Sequence, residues 1–187
     1  MIKVGIIGTH GTRKTSICYD LAGKLKAIGI NAGVMEEVAR NLPRFPPRFD
    51  INERTTLESQ AFILHSQVKG ELEFWARGDV NPLLTDRTVI DNHVYPIYRF
   101  GKDKIDPAYD AFVTYWTRTY DLLFKLPILK NKSMIDDPTR AVSDDFQVGI
   151  DRLLEEELRE REIPFVRYTT PEDAIGRIMV LLDEERR

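Results

Sequence analysis

Cysteine is almost missing from this chain. Cys18 is the only one, which excludes an intramolecular disulfide and, with it, the stapled scaffolds of small secreted proteins. A reducing compartment, the cytoplasm, is the expected location, and Cys18 reads as a small buried apolar filler. Long apolar runs are lacking too. The opening MIKVGIIG meets glycine within a few residues, too soon for a signal peptide or a membrane span. No membrane partner is expected, and the sequon Asn131-Lys132-Ser133 is chance spacing. Nor is there an excess of positive charge: 27 Lys and Arg against 30 Asp and Glu leave a net charge of -3. A nucleic-acid-binding face works through massed cations, so nucleic acid is an unexpected partner. The three histidines, His10, His65 and His93, show no metal-ligand spacing and read as structural or surface groups. No internal repeat is present.

The remaining composition is that of a globular protein. With 187 residues, 42% hydrophobic and 30% charged, residues 1–187 fit one domain around a sizeable core. Residues 2 to 7 form a β-branched run without alternation, as expected of a parallel strand covered on both faces. From Thr15, Ile17, Leu21, Leu25 and Ile28 recur at helical spacing, and Gly29 supplies a stop. Asn31 to Met35 reads as a second strand. Leu42 to Asp50, with three prolines, reads as a loop that covers a site. Residues 54 to 77 carry Leu57, Ala61, Leu64, Val68, Leu72 and Trp75 in a helical stripe closed by Gly78. Trp75 and Trp116 are read as core or helix-packing residues. Val80 to Thr85 is the next strand, residues 88 to 124 are mostly helical with a break at Gly101 to Pro107, and Asp121 to Pro127 holds another strand. A helix with Phe146, Ile150, Leu154 and Leu158 leads to a strand at Pro164 to Tyr168. Thr170-Pro171-Glu172-Asp173 then starts a helix, with a capping hydroxyl, a first-turn proline and acids at the positive end of the dipole. Strands and helices alternate throughout, which predicts an α/β fold: a parallel sheet with helices on both faces and its sites at the carboxyl ends of the strands.

The densest chemical signal is Gly8-Thr9-His10-Gly11-Thr12-Arg13-Lys14-Thr15, between the first strand and the first helix, with Ser16 following. A glycine-rich loop can curl its backbone N–H groups around one anion, and a helix N-terminus adds partial positive charge. Lys14 would reach the β- and γ-phosphates of ATP, and Thr15 would offer its hydroxyl to Mg²⁺. The plainer reading is a glycine turn with incidental Lys-Thr. Arg13 stands where the usual pattern has glycine. Its side chain either crowds the loop or points outward and adds a cation to the nucleotide.

Asp86, ending an apolar strand, fits a second Mg²⁺ ligand or a helix N-cap. Arg87 beside it fits a clamp on substrate oxygens or a surface arginine, and Asp91 is placed to pair with it. Glu37, after the second strand, is a candidate to orient or deprotonate an acceptor hydroxyl, with Glu36 competing for that role. Arg40 is either the salt-bridge partner of Glu37 or a substrate contact. Arg140, in a polar segment at about 131–145, reads as a lid arginine for the migrating phosphoryl group or as a plain loop residue. Phe45 and Phe49 stack on an acceptor ring or anchor their loop.

In order and spacing, the segments GTHGTRKT, EEVAR, LLTDRTVIDNHVY, DDPTR and DDFQVGIDRLLEEEL resemble the AAA-like P-loop kinase group. That group includes the ribosylnicotinamide kinase domain of bifunctional NAD-biosynthesis regulators and, more distantly, the deoxynucleoside and thymidylate kinases. The resemblance spans nearly the whole chain. It implies a three-layer fold on a five-stranded parallel sheet, with Lys14 and Thr15 on phosphate and Mg²⁺ and Glu37 at the acceptor hydroxyl. It also implies Asp86 and Arg87 at the functional strand end and Arg140 in the lid.

The function expected is transfer of the γ-phosphoryl group of ATP to a small acceptor: a nucleoside, a nucleotide or nicotinamide riboside. The alternative is a nucleotide-dependent switch that binds a protein partner and phosphorylates nothing. GTP is disfavoured, because an Asn-Lys-x-Asp motif is missing and Asn131-Lys132-Ser133-Met134 has the wrong fourth residue. A homo-oligomer is compatible with the sequence.

Overall fold

A computed structural model of the chain describes residues 1–41, 51–129 and 144–186. Five strands form one parallel sheet: β1 (Lys3–Ile7), β2 (Gly33–Met35), β3 (Leu83–Asp86), β4 (Leu122–Lys125) and β5 (Val166–Arg167). Their order across the sheet is β2-β3-β1-β4-β5. β1 is therefore central, with Ile6 beside Asp86 on one side and beside Phe124 on the other. Parallel neighbours require crossovers, and the helices supply them. These are α1 (Lys14–Ala27), α2 (Leu57–Arg77), α3 (Val89–Phe100), α4 (Pro107–Thr117), α5 (Asp144–Glu160) and α6 (Pro171–Glu185).

The β1 run lacks alternation because both faces are covered: Val4, Ile6 and Ile7 are all fully buried. On one face Val4 and Ile6 join Cys18, Leu21 and Leu25 of α1 and Ala174, Ile178 and Leu182 of α6. On the other, Ile7 and Leu123 meet Leu64 of α2, Val89 to Tyr95 of α3, Val113 of α4 and Phe146 to Leu158 of α5. Gly5 serves this second face. A Cβ there would lie 2.4 Å from the Thr88 methyl, so only glycine lets the start of α3 rest on the central strand.

Helix ends follow local chemistry. Gly29, at φ 86°, closes α1, with its N–H bonded to the Lys26 carbonyl. Thr56 caps α2 reciprocally with Ser59, and Thr170 caps α6 through the Asp173 N–H.

The stripe expected along α2 is corrected. Leu57 and Leu72 are each 48% exposed and Trp75 is 67% exposed, so Trp75 is not a core residue. The buried face runs instead through Ser59, Gln60, Ile63, Leu64, Gln67 and Glu71. Apolar periodicity misled because this face is held by polar groups with dedicated partners. Glu71 accepts from Lys3 Nζ at 2.9 Å, Trp116 Nε1 at 2.8 Å, Gln67 Nε2 at 2.9 Å and the Tyr120 hydroxyl. Four donors satisfy one buried carboxylate, which makes its burial tolerable.

Candidate functional site

The carboxyl ends of β1, β2 and β3 converge, and each delivers its chemical residues at the point where the strand stops. After β1, the chain turns through Gly8 at φ 146° and Gly11 at φ 71° before entering α1. Arg13 is the N-cap of α1 and adopts the left-handed region, φ 64° and ψ 28°. That conformation is the physical reason glycine is usual there: a side chain at positive φ costs about 1–2 kcal/mol. The Arg13 side chain is exposed, pointing out of the loop rather than crowding it. Arginine has no acceptor atom, and α1 begins without a side-chain cap bond. The first-turn N–H groups are therefore left for an anion to cap.

Around this turn the groups are tightly held. Thr12 Oγ1 donates to the Thr9 carbonyl at 2.8 Å, and Lys14 Nζ donates to the Gly8 and Thr9 carbonyls at 2.8 and 2.7 Å. Thr9 and His10 are buried, and Ser16 lies exposed on the first turn of α1. His10 stacks on Phe146 of α5 at 5.9 Å, and its carbonyl accepts from Gln147 Nε2 at 2.5 Å. Burial lowers the Lys14 pKa from 10.5 to about 7, and the nearby Arg87 charge adds to the effect. A lysine held in this way regains its full charge when a counter-charge arrives.

Asp86 ends β3. Its Oδ2 accepts from Thr15 Oγ1 at 2.5 Å, while its Oδ1 is buried with no partner. The helix cap near it is Thr88, not Asp86. A hydroxyl joined to a carboxylate with a spare oxygen fits Mg²⁺, which takes one or two protein oxygens and fills its octahedron from phosphate and water. Among the described residues, no cluster of three or more His, Cys, Asp or Glu side chains makes a self-contained metal cage.

Arg87 follows at φ 82°. Its Nε donates to Glu37 Oε1, its Nη1 to the Tyr95 hydroxyl at 3.3 Å, and its guanidinium lies over the Tyr95 ring at 5.6 Å. The expected pairing of Arg87 with Asp91 does not occur. Asp91 instead accepts from the Gly8 N–H at 2.9 Å and from the Thr88 N–H and hydroxyl at 3.0 and 2.9 Å, tying the start of α3 to the glycine loop. The left-handed turn at Arg87 sends its side chain toward β2, where Glu37 stands.

Glu37 faces this cleft, whereas Glu36 is exposed and accepts from the Tyr19 hydroxyl. Glu37 also accepts from Arg40 Nε at 3.1 Å. Burial alone would raise its pKa, but the Arg87 charge, then Lys14, outweigh that and hold the carboxyl at about 2. It is a fixed anion at any physiological pH. Gln60, Ile63 and Asn92 line the same cleft, with Glu37, Arg87 and Tyr95 across it.

Asp91 sits elsewhere than beside Arg87, where the sequence put it, and several other groups were not read from the sequence at all. Asp91 carried a signal, since Thr88-x-x-Asp91 is a capping box. Gln60, Asn92, Tyr95 and Gln67 carried none. Gln67 Nε2 reaches the Arg87 carbonyl at 3.4 Å and Glu71 at 2.9 Å, so α2 braces the turn that aims Arg87. Arg140, Phe45, Phe49 and the segment at 131–143 lie outside the described residues.

A family model described as AAA domain matches residues 3–173. The chain belongs to that family. No curated protein matches this AAA domain. Among solved structures, it superposes on deoxyadenosine kinase from M. mycoides, solved with the products dCMP and dCDP, with a TM-score of 0.64 and 16% identity. That match covers 98% of this chain and 100% of the other. NadR in complex with NR gives a TM-score of 0.65 at 17% identity over 94% of this chain and 49% of NadR, so the AAA domain spans about half that protein. YorR from Bacillus subtilis, in complex with phosphorylated GDP, gives 0.51 at 14% identity over 98% and 97% of the two chains. At such identities the likeness is one of fold. It is the P-loop kinase-like α/β fold the sequence implied, with a five-stranded parallel sheet and six helices among the described residues.

Proposed function

We propose that this AAA domain is a kinase that transfers the γ-phosphoryl group of Mg-ATP to a hydroxyl of a small acceptor of the nucleoside class. The observation that carries this reading is the buried Glu37–Arg87 pair opening on a cleft beside the glycine loop. A binding switch needs the loop alone. A carboxylate fixed in direction by a guanidinium is what an acceptor hydroxyl needs: an oxygen that accepts its hydrogen bond and aims its lone pair.

In this scheme the loop amides and Lys14 hold the β- and γ-phosphates. Thr15 and Asp86 would hold Mg²⁺, which would offset the charge of the phosphates. Glu37, with a pKa near 2, is a weak base, so its work is to aim the hydroxyl in line with the γ-phosphorus. Inside the cleft, Gln60 donates its Nε2 to Thr55, leaving a buried Oε1 with no partner. An unpaired buried oxygen favours a ligand with an N–H at its far end, as a nucleobase or carboxamide has. The nucleotide-bearing complexes of deoxyadenosine kinase and the NR complex of NadR support the same acceptor class.

The test is product mass after incubation with Mg-ATP and a panel of nucleosides, nucleotides and nicotinamide riboside. An acceptor heavier by one phosphoryl group, formed by the wild type and not by Lys14→Ala, is the expected result. Nucleotide binding with no phosphorylated product from any acceptor would leave the switch as the better reading.

A further inference from the structure

Arg40 stands on a short 3-10 turn, Val38–Asn41, directly after β2. Its Nε donates to Glu37 Oε2 at 3.1 Å and its Nη2 to Thr15 Oγ1 at 3.3 Å. One planar guanidinium thus spans from the hydroxyl on the phosphate side to the carboxylate on the acceptor side. An in-line transfer moves the phosphoryl group through the space between those two anchors.

Among the described residues, the two buried cations beside these anchors have other tasks. Arg87, 8% exposed at its side chain, is spent on Glu37 and Tyr95, and Lys14 is folded onto loop carbonyls that a bound polyphosphate would displace. The Arg40 side chain is 43% exposed, so it can turn without opening a void.

We propose that Arg40 is a catalytic arginine that binds the equatorial oxygens of the migrating phosphoryl group, a role that rests on the kinase reading. When nucleotide and Mg²⁺ claim the Thr15 hydroxyl, the Nη2 it releases is free to turn to the γ-phosphoryl oxygens, while Glu37 keeps Nε and fixes the fork. The bond from γ-phosphorus to the bridging oxygen of ADP breaks as the bond to the acceptor oxygen forms. The electron pair leaves on ADP, and the acceptor proton, held by its hydrogen bond to Glu37 until late in the transfer, is released to water. Charge spread over three equatorial oxygens is strongest in mid-transfer, so a bidentate donor there acts on the rate more than on binding.

The experiment is steady-state kinetics of Arg40→Ala and Arg40→Lys with Mg-ATP and the acceptor found in the panel. In parallel, calorimetry would follow Mg-ADP, with and without aluminium fluoride as a phosphoryl mimic. Arg40→Ala is expected to lower kcat by about 10²–10³-fold with both KM values within about threefold of the wild type. It should bind Mg-ADP normally but lose the tightening that aluminium fluoride brings. Arg40→Lys, which keeps the charge without the fork, should fall between the two. An unchanged kcat, or a loss confined to acceptor KM, overturns the role. A wild type that phosphorylates nothing overturns the kinase reading itself, a distinguishable outcome.

Discussion

The two ends of the proposed site, one for phosphate and one for the acceptor, touch, yet they are built in opposite ways. The phosphate end is made by residues 8–16, consecutive in the chain, and the bonds that fold its side chains back are short-range, Lys14 to Gly8 and Thr9 and Thr12 to Thr9, with Asp86, Asp91 and Gln147 tying it down from afar. Backbone conformation does most of the shaping, through the positive φ of Gly8, Gly11 and Arg13. The acceptor end draws Glu37 from the end of β2, Gln60 and Gln67 from α2, Arg87 from the end of β3 and Tyr95 from α3. Its central ion pair joins residues 50 positions apart. Charge and burial do the shaping there. A turn of consecutive residues tolerates side-chain change wherever backbone geometry survives, whereas a buried ionic cluster fails when one member is removed.

The largest expected effect falls on the phosphate end. Lys14→Ala should reduce phosphoryl transfer by at least about 10³-fold and weaken Mg-ATP binding in calorimetry. It should leave the melting temperature unchanged or raised, because a cation with a lowered pKa leaves a buried site. A lower melting temperature would mean that the loop depends on that side chain as the acceptor end does, and the contrast would break.

Glu37→Gln is the matching change on the other side. It should cut transfer by about 10²-fold and stability by about 3 kcal/mol, since Arg87 is left buried without its counter-charge. Mg-ADP binding should persist. Acid sharpens the same point. Glu37 has a folded pKa of about 2 against 4.5 ordinarily, so as pH falls below 4.5 the unfolded chain takes up a proton that the folded one refuses. The stability this group provides is complete above about pH 4.5 and is lost toward pH 2. Denaturant midpoints should show that loss in the wild type and a shallower one in Glu37→Gln.

Proton linkage probes the phosphate end without mutation. With its pKa near 7, Lys14 is largely neutral at pH 8.5 in the empty protein, and an arriving polyphosphate restores its charge. Nucleotide binding should therefore take up most of a proton at pH 8.5 and little at pH 6, read as a buffer-dependent heat. Equal uptake at both pH values would show that Lys14 is not the group linked.

The smallest effect belongs to Arg13→Gly. Relief of the left-handed strain, partly offset by glycine's greater freedom in the unfolded chain, should stabilise by about 0.5–1 kcal/mol and raise the melting temperature by about 2 °C. A drop would mean that Arg13 makes contacts that outweigh the strain of its backbone.

Legibility in the sequence followed the same division. The loop and its flanking strand and helix were readable, because a run of consecutive residues carries its own geometry. The helix start at Thr170 and the stop at Gly29 were readable for the same reason. Glu37, Asp86 and Arg87 were readable as residues ending strands, though nothing local said that Arg87 would choose Glu37 over Asp91. Along α2, hydrophobicity pointed to Leu72 and Trp75, but the core took Gln67 and Glu71, whose partners Lys3, Trp116 and Tyr120 are remote in the chain.

By itself, then, the sequence determined the alternation of strands and helices, the glycine-rich turn and the set of chemical groups at the strand ends. These depend on periodicity, on positive φ and on side-chain type, all properties of short stretches. The tertiary structure alone decided which carboxylate meets which guanidinium, which face of α2 is buried and that Arg40 reaches Thr15. Those pairings are settled by a competition among burial costs, and a buried charge settles wherever the fold brings a partner that offsets its lost water.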